Sequence, residues 1–234
     1  MKILAIIPAY NEEESIIKVI TKLKKNNPDV DYVVINDCSS DKTLEILEKN
    51  KTHYIDLPLN LGIGGGVQTG YKYALKNGYD VAIQIDGDGQ HDTAYLKNVI
   101  KPLEEGNADV VIGSRFIDKK GFQSSVIRRI GIKFLSLLIF LCCRTKVYDV
   151  TSGFRAVNKK FIEVYAKEYP VDYPEPEAIV KASLKGARIC EVPVIMKERE
   201  TGKSSISAWK SVYYMIKVSL AVVLCRLSNS RKDS

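Results

Sequence analysis

The sequence predicts an α/β fold on a mostly parallel sheet, and three observations carry that prediction. Short β-rich runs bounded by turn residues alternate with helical periodicities through roughly the first 113 residues. The polar clusters follow the strands: PAYNEE after the first, NDCSSD after the second and DGDGQ after the fourth. A chain of 234 residues, 45% hydrophobic and 27% charged, is long enough for one substantial core. In a parallel sheet covered on both faces, ligands bind beyond the carboxyl ends of the strands. The polar clusters are therefore expected to converge on one crevice.

The elements follow in order. ILAII (3–7), YVVI (32–35), HYIDL (53–57), VAIQI (81–85) and VVIG (110–113) are apolar, β-branched and too short for helices. They read as buried strands. Between them, EESIIKVITKLKK (13–25) repeats apolar residues at 16, 20 and 23, and TLEILEK (43–49) follows Ser and Asp capping candidates. VQTGYKYALKNG (67–78) is a helix with a glycine stop. The glycines ahead of it, in NLGIGGG (60–66), either let the backbone pass close to a ligand or make a turn before the helix. A dinucleotide fingerprint fails there, because Gly62 and Gly64 require a third glycine where Val67 stands.

The second half changes character. Only Gly131, Lys133 and Ser136 interrupt the apolar run from Ile130 to Cys143, and Arg128, Arg129 and Arg144 flank it. As a helix, Phe134 to Cys143 spans about 15 Å, half the ~30 Å hydrocarbon core of a bilayer. It cannot cross. WKSVYYMIKVSLAVVLCRL (209–227) is a second such stretch, almost wholly apolar from Val218 to Cys225. Two packed core helices, or an interfacial surface whose basic ends meet anionic headgroups, both fit these patterns. A covering partner membrane protein is a further occupant the pattern allows. The expected organisation is one domain over 1–204, including an interfacial helix at about 128–144, then a C-terminal helix and basic tail over 205–234.

Composition narrows the partners. A net charge of +7 suits an anionic ligand, yet no zinc-finger spacing or aromatic-and-basic RNA-binding motif is present. Nucleic acid is the weakest partner class. Five cysteines without a Cys-x-x-Cys pair make neither a disulfide framework nor a zinc site, which indicates a reducing compartment. The apolar stretch Ile3–Ile7 runs into Pro8 and is too short for a signal peptide. The catalytic part is expected at the cytoplasmic face of a membrane, and a homo-oligomer is compatible with the sequence.

Chemistry concentrates in VAIQIDGDGQHDTAYL (81–96). Two carboxylates at a strand tip repel each other and resist leaving water unless a cation joins them. Hard divalent ions such as Mg²⁺ or Mn²⁺ take oxygen ligands and leave positions for water and phosphate. Asp86, Asp88 and the Gln90 amide oxygen are the expected metal ligands. An acidic polar turn is the plain alternative. His91 is read as a solvated or hydrogen-bonded side chain before a ligand.

PAYNEE (8–13), NDCSSDKT (36–43), NLGIGGGVQTG (60–70), DGDGQHD (86–92), GSRF (113–116), TSGFR (151–155) and RETGKSS (199–205) occur in this order. Together they resemble the family-2 inverting glycosyltransferases of GT-A fold, in particular the branch of dolichol-phosphate mannose synthases and bacterial polyprenyl-phosphate glycosyltransferases. The resemblance covers about residues 2 to 205. It implies a nucleotide-diphosphate sugar donor, with Pro8, Tyr10 and Glu12 around base and ribose, and Ile35 and Asp37 at the second strand end. Asp37 would read the base. Asp86 and Gly87 would lie along the nucleotide, and Asp88 and Gln90 would hold the metal on the diphosphate. Arg115, Arg128, Arg129 and Arg199 match basic positions that face donor diphosphate or acceptor phosphate in relatives. With Asp88 they form the expected catalytic set. Arg155 either supports that site or makes a structural salt bridge.

Two departures stand out. The late motif commonly reads Gly-x-Ser-Lys in the mannose synthases; here Gly202-Lys203-Ser204-Ser205 leaves Lys203 to act from a shifted position. Ile63 stands where many relatives carry a basic residue.

The resemblance implies transfer to a polyprenyl phosphate, undecaprenyl or dolichyl. Such an acceptor is ionised near neutrality, its second pKa being about 6, and needs cations rather than a base. The alternative is a cell-wall or capsular polysaccharide transferase acting on a hydroxyl of a lipid-linked glycan. That enzyme needs a base, for which Glu175 or Glu177 of DYPEPEAIV stands as candidate, although structural glutamates in a rigid loop are the simpler reading. A degenerate, non-enzymatic membrane adaptor is disfavoured by the intact Asp86, Asp88 and Gln90.

Overall fold

The computed structural model describes residues 1–121, 125–197 and 208–230. β1 (Ile3–Ala9) pairs in parallel with β2 (Asp31–Asn36) on one side and with β4 (Val81–Gln84) on the other, and β3 (Tyr54–Asp56) extends the sheet beyond β2. Two strands come from the half where no strands were expected. β6 (Arg155–Asn158) inserts antiparallel between β4 and β5 (Val110–Ser114), and β7 (Ile189–Pro193) runs parallel along the outer edge of β5. The order is β3-β2-β1-β4-β6-β5-β7. The mostly parallel α/β sheet is as expected, with one reversed strand.

That reversal matters for the site. Because β6 begins where β4 and β5 end, the TSGF residues just before Arg155 arrive at the same edge as the acidic tip of β4.

Alternation along β1 explains the two-sided core. Ala5 and Ile7 face α1 (Ile16–Asn26), α2 (Thr43–Lys49) and α4 (Leu96–Glu104), whose buried residues include Val19, Leu23, Leu47 and Ile100. Leu4 and Ile6 face α3 (Gly62–Lys76), α6 (Lys159–Lys167) and the helices that follow. α3 seats closely on β1 at Gly70: a Cβ there would lie 2.2 Å from Ile6 Cγ2.

Three expectations change. The helix expected over 67–78 starts at Gly62, so Gly64, Gly65 and Gly66 are helical and buried rather than a turn before the helix. Glycine's low helix propensity is overridden by close packing of this first turn against neighbouring backbone. The rigid loop expected around Glu175 is the first turn of α7 (Pro174–Leu184). Proline is well placed there, because the first N–H groups of a helix lack partners anyway. Finally, Glu13 and Glu14 precede α1 rather than belonging to it.

The apolar runs form α5 (Val126–Cys143) and α8 (Ala208–Ser230), as the sequence suggests. Ile132, Leu135 and Ile139 of α5, with Val218 and Val222 of α8, join the core beside α7. The other sides stay exposed: Ile127, Ile130, Phe134, Leu137 and Leu141 recur at three- and four-residue steps, as do Ile216, Leu220, Val223 and Leu227. Among the described residues no helix is long and apolar enough to cross a membrane. The expected domain boundary at 204–205 lies outside the described residues.

Candidate functional site

An open crevice of about 340 Å³ lies at the carboxyl ends of β1, β2 and β4. Pro8, Ala9, Tyr10 and Glu12 form one wall, Asp37 and Asn60 the back, Gly62, Ile63 and Gly66 of α3 a second wall, and Asp86, Gly87 and Asp88 the floor. The convergence expected of the three strand-end clusters is what the fold produces. Local hydrogen bonds hold the walls. Asn11, with φ of 57°, accepts the Ser40 and Asp41 N–H groups on its side-chain oxygen and donates its own N–H to Ser39 Oγ, tying the first cluster to the second. The Glu12 N–H donates to Thr43 Oγ1 at 2.8 Å, and Glu12 Oε2 accepts the Ser15 hydroxyl at 2.6 Å.

Asp37 is buried, donates its N–H to the Ala9 carbonyl and takes the Leu61 N–H on Oδ1 at 2.7 Å. A carboxylate fixed in this way can accept a donor group of a ligand on its remaining oxygen. Ile35 does not reach the crevice. It is fully buried in the core beneath Gly66, contrary to the expectation that it contacts a ligand.

Asp86 is held from several sides. Its N–H donates to His91 Nδ1 at 3.0 Å, Gln84 Nε2 donates to Oδ1 at 2.9 Å, and His91 Nε2 stands 3.5 Å from Oδ2. His91 is buried and stacked on Phe154, so it is a hydrogen-bonded residue rather than a solvated one. Asp88 Oδ1 accepts the Gln90 N–H at 3.0 Å. The Gln90 side chain turns its amide nitrogen to the Lys197 carbonyl, and the Lys197 N–H returns to the Gln90 carbonyl. Gln90 thus lies outside the crevice lining, with Oε1 the atom left for a ligand.

The basic residues separate into two groups. Arg115 is buried against Asp149, with Nε 2.7 Å from Oδ2 and Nη2 2.6 Å from Oδ1. It braces the end of β5 instead of lining the crevice, a correction to its expected place beside phosphate. Arg155 is likewise buried and directs its donors at backbone: Nε to the Ser152 carbonyl, Nη1 to Glu175 and Nη2 to Val150. Among the described residues its hydrogen bonds go to backbone carbonyls and not to a carboxylate. The cation is satisfied by carbonyl dipoles, and it staples α7 to the TSGF loop. Arg128 and Arg129 sit in the first turn of α5, Arg128 exposed and Arg129 half-buried. Arg199 and Lys203 lie outside the described residues.

Burial pushes the Glu175 carboxyl up; the Arg155 guanidinium opposes that shift, while Asp86 adds to it. Glu177 is half-buried and also pushed up by burial, with Lys181 opposing. It sits apart from the crevice lining.

The residues that sequence reasoning missed are Ala9 and Asn60 in the walls and Gln84 and Gly153 behind Asp86. Asn60 carried a signal: an Asn two residues before Gly suits a side-chain-stabilised turn, and its Nδ2 donates to the Asp37 carbonyl while Oδ1 accepts the Gly62 N–H. Gln84 carried one too, as a polar residue inside an apolar strand.

Comparison with known proteins agrees with this architecture. An N-acetylglucosaminyltransferase from Methanococcus voltae, named for transfer from UDP-N-acetylglucosamine to dolichyl phosphate, is 32% identical over 209 residues, covering 81% of this chain and 83% of that protein. An undecaprenyl-phosphate mannosyltransferase from Micrococcus luteus is 30% identical over 216 residues, covering 88% of each. Among solved structures, glucosyl-3-phosphoglycerate synthase from Mycobacterium tuberculosis, in complex with Mn²⁺ and UDP-glucose, superposes with a TM-score of 0.70 at 17% identity. That match covers 96% of this chain and 78% of that one, and carries the fold alone. The family profile described as glycosyl transferase family 2 matches residues 4–165. The chain belongs to glycosyl transferase family 2.

Proposed function

We propose that this protein is a metal-dependent inverting glycosyltransferase that moves a sugar from a nucleoside diphosphate to a polyprenyl phosphate at the cytoplasmic face of a membrane. The observation that carries the proposal is the crevice itself: an acidic strand tip, a buried carboxylate in the crevice lining and a helix with an apolar exposed face occur in one chain whose relatives are named for this acceptor.

Asp37 accepts an N–H of the base, and Pro8, Tyr10 and Glu12 flank base and ribose. Asp86 and Gly87 run along the nucleotide. The acidic tip fits a hard divalent cation, Mg²⁺ or Mn²⁺. Its donors are oxygens, the ligand type that hard divalent ions take alongside water and phosphate. Asp88 would hold the ion, with Asp86 and Gln90 beside it. When bound, such an ion supplies positive charge to the leaving diphosphate as the sugar–oxygen bond breaks.

Arg128 and Arg129 hold the acceptor phosphate in line behind the anomeric carbon. An acceptor oxygen forms the new bond, and the bonding pair of the old one leaves with the diphosphate. The acceptor is already ionised, so no side chain has to take a proton. The exposed apolar stripes of α5 and α8, edged by Arg128, Arg129, Lys133, Lys217 and Arg226 and carrying no acidic residue, lie on an anionic lipid surface where such an acceptor resides.

The raised Glu175 carboxyl keeps a second reading in play, a hydroxyl acceptor on a lipid-linked glycan with Glu175 as base. Labelled nucleotide sugars incubated with Mn²⁺ and undecaprenyl phosphate separate the two. Labelled lipid that disappears in Asp88→Ala supports the proposal. Label on a glycan primer alone overturns it in favour of the second reading.

A further inference from the structure

Three residues from three separate parts of the chain meet at one carboxylate, and a fourth backs one of them. Gln84 ends β4, His91 closes the turn after it, and Gly153 and Phe154 precede the reversed strand β6. Gln84, His91 and Phe154 are all buried. Gln84 Nε2 donates to Asp86 Oδ1 at 2.9 Å. The Asp86 N–H donates to His91 Nδ1 at 3.0 Å, which requires Nδ1 to be unprotonated and places the ring proton on Nε2, 3.5 Å from Asp86 Oδ2. Phe154 fixes the plane of the imidazole by stacking, with centroids 5.0 Å apart and 16° between planes. Gly153 closes the last side. A Cβ there would fall 2.9 Å from Gln84 Nε2 and 3.1 and 3.2 Å from the Asp86 carboxylate oxygens.

We propose that Gln84, His91 and Gly153 form a clamp that presets the Asp86 carboxylate for the donor nucleotide, with His91 acting as a positioning residue through its Nδ1 acceptor. This rests on the reading of the crevice as a donor site. Each Asp86 oxygen already faces a nitrogen donor of the protein, so its orientation is set before any ligand arrives. Asp86 is thereby a fixed acceptor along the nucleotide. A pre-set acceptor binds its ligand without first losing side-chain freedom.

Three variants and one spectroscopic measurement test the clamp. In His91→Asn, the side-chain oxygen can stand where Nδ1 stood and accept the Asp86 N–H. In His91→Gln, the amide reaches toward the Nε2 position instead. His91→Phe keeps the stack on Phe154 and loses both polar contacts. Donor KM is expected to rise about tenfold or more in His91→Phe, as for a buried N–H left without a partner. His91→Asn should recover most of that loss and His91→Gln little of it. Equal KM values for Asn and Gln variants of intact fold overturn the proposal, and so does a wild-type KM in His91→Phe.

Should the Phe variant not fold, the Asn-to-Gln order still decides. Long-range ¹H–¹⁵N correlation of the imidazole in the ligand-free wild-type protein reads the tautomer without any donor. A proton on Nε2 supports the clamp, and one on Nδ1 refutes it. Failure of the wild-type protein to bind UDP or GDP with Mn²⁺ would instead remove the donor-site reading, and with it the clamp's assigned purpose, whatever the tautomer.

Discussion

Replacing Arg115 with Met distinguishes a brace from a ligand contact. Asp149 is completely buried and accepts the Arg115 N–H at 3.1 Å, Nε at 2.7 Å and Nη2 at 2.6 Å. Beneath it, Glu191 accepts the N–H groups of Tyr148 and Asp149 at 2.7 and 2.8 Å, so a second acid lies close to the first. Removing the guanidinium strands the Asp149 charge in that setting. Breaking a buried pair from one side costs about 3–5 kcal/mol. For a domain of this size the midpoint of thermal unfolding should fall by about 6–20 °C.

Converting Asp149 to Asn in the same chain removes the stranded charge while keeping an oxygen for the Arg115 backbone N–H, now that of Met. The double variant should regain at least about 1 kcal/mol over Arg115→Met alone. Urea and thermal unfolding of the wild type, both singles and the double give the cycle, and nucleoside diphosphate binding is measured on each folded protein. If Arg115→Met keeps the wild-type midpoint but loses nucleotide binding, the bracing assignment is wrong and Arg115 faces the ligand after all.

Three further outcomes are expected. Arg188 and Asn158 hold the Asp109 carboxyl well below its ordinary value, at about 2. A depressed folded-state pKa means that the ionised form is favoured by folding, so the contribution is complete above about pH 4 and is lost as pH falls toward 2; it amounts to at most roughly 2 kcal/mol. Asp109→Asn should therefore narrow to no difference from wild type in acid-unfolding curves near pH 2, and a constant offset across that range would refute it. Gly70→Ala should destabilise by roughly 1–3 kcal/mol through the clash with Ile6, and pairing it with Ile6→Ala should cost less than the two losses summed. Strict additivity in urea unfolding would disprove the close seat. Leu137→Glu lies on the exposed stripe of α5, so it should abolish sedimentation with anionic liposomes while shifting stability by less than about 0.5 kcal/mol. Unchanged sedimentation would count against α5 as the lipid-facing element.

Local pattern was enough for the strand-and-helix alternation of the first half, because a period of two and a period of 3.6 are written in neighbouring residues. It was also enough to bring Pro8, Tyr10, Glu12, Asp37, Asp86 and Asp88 to one edge, since parallel strands present their carboxyl ends together. The length and apolarity of α5 and α8 were legible for the same reason.

Whatever depends on long-range partners was not legible. β6 is reversed, and nothing in RAVN states its direction; only pairing with both β4 and β5 sets it and carries Gly153 to Asp86. Arginines look alike in a sequence, yet Arg115 is paired to an aspartate 34 positions away and Arg155 to three carbonyls, while Arg128 stays exposed. A charged side chain's role is decided by the partner that replaces its water, and that partner is supplied by the packed chain rather than by its neighbours.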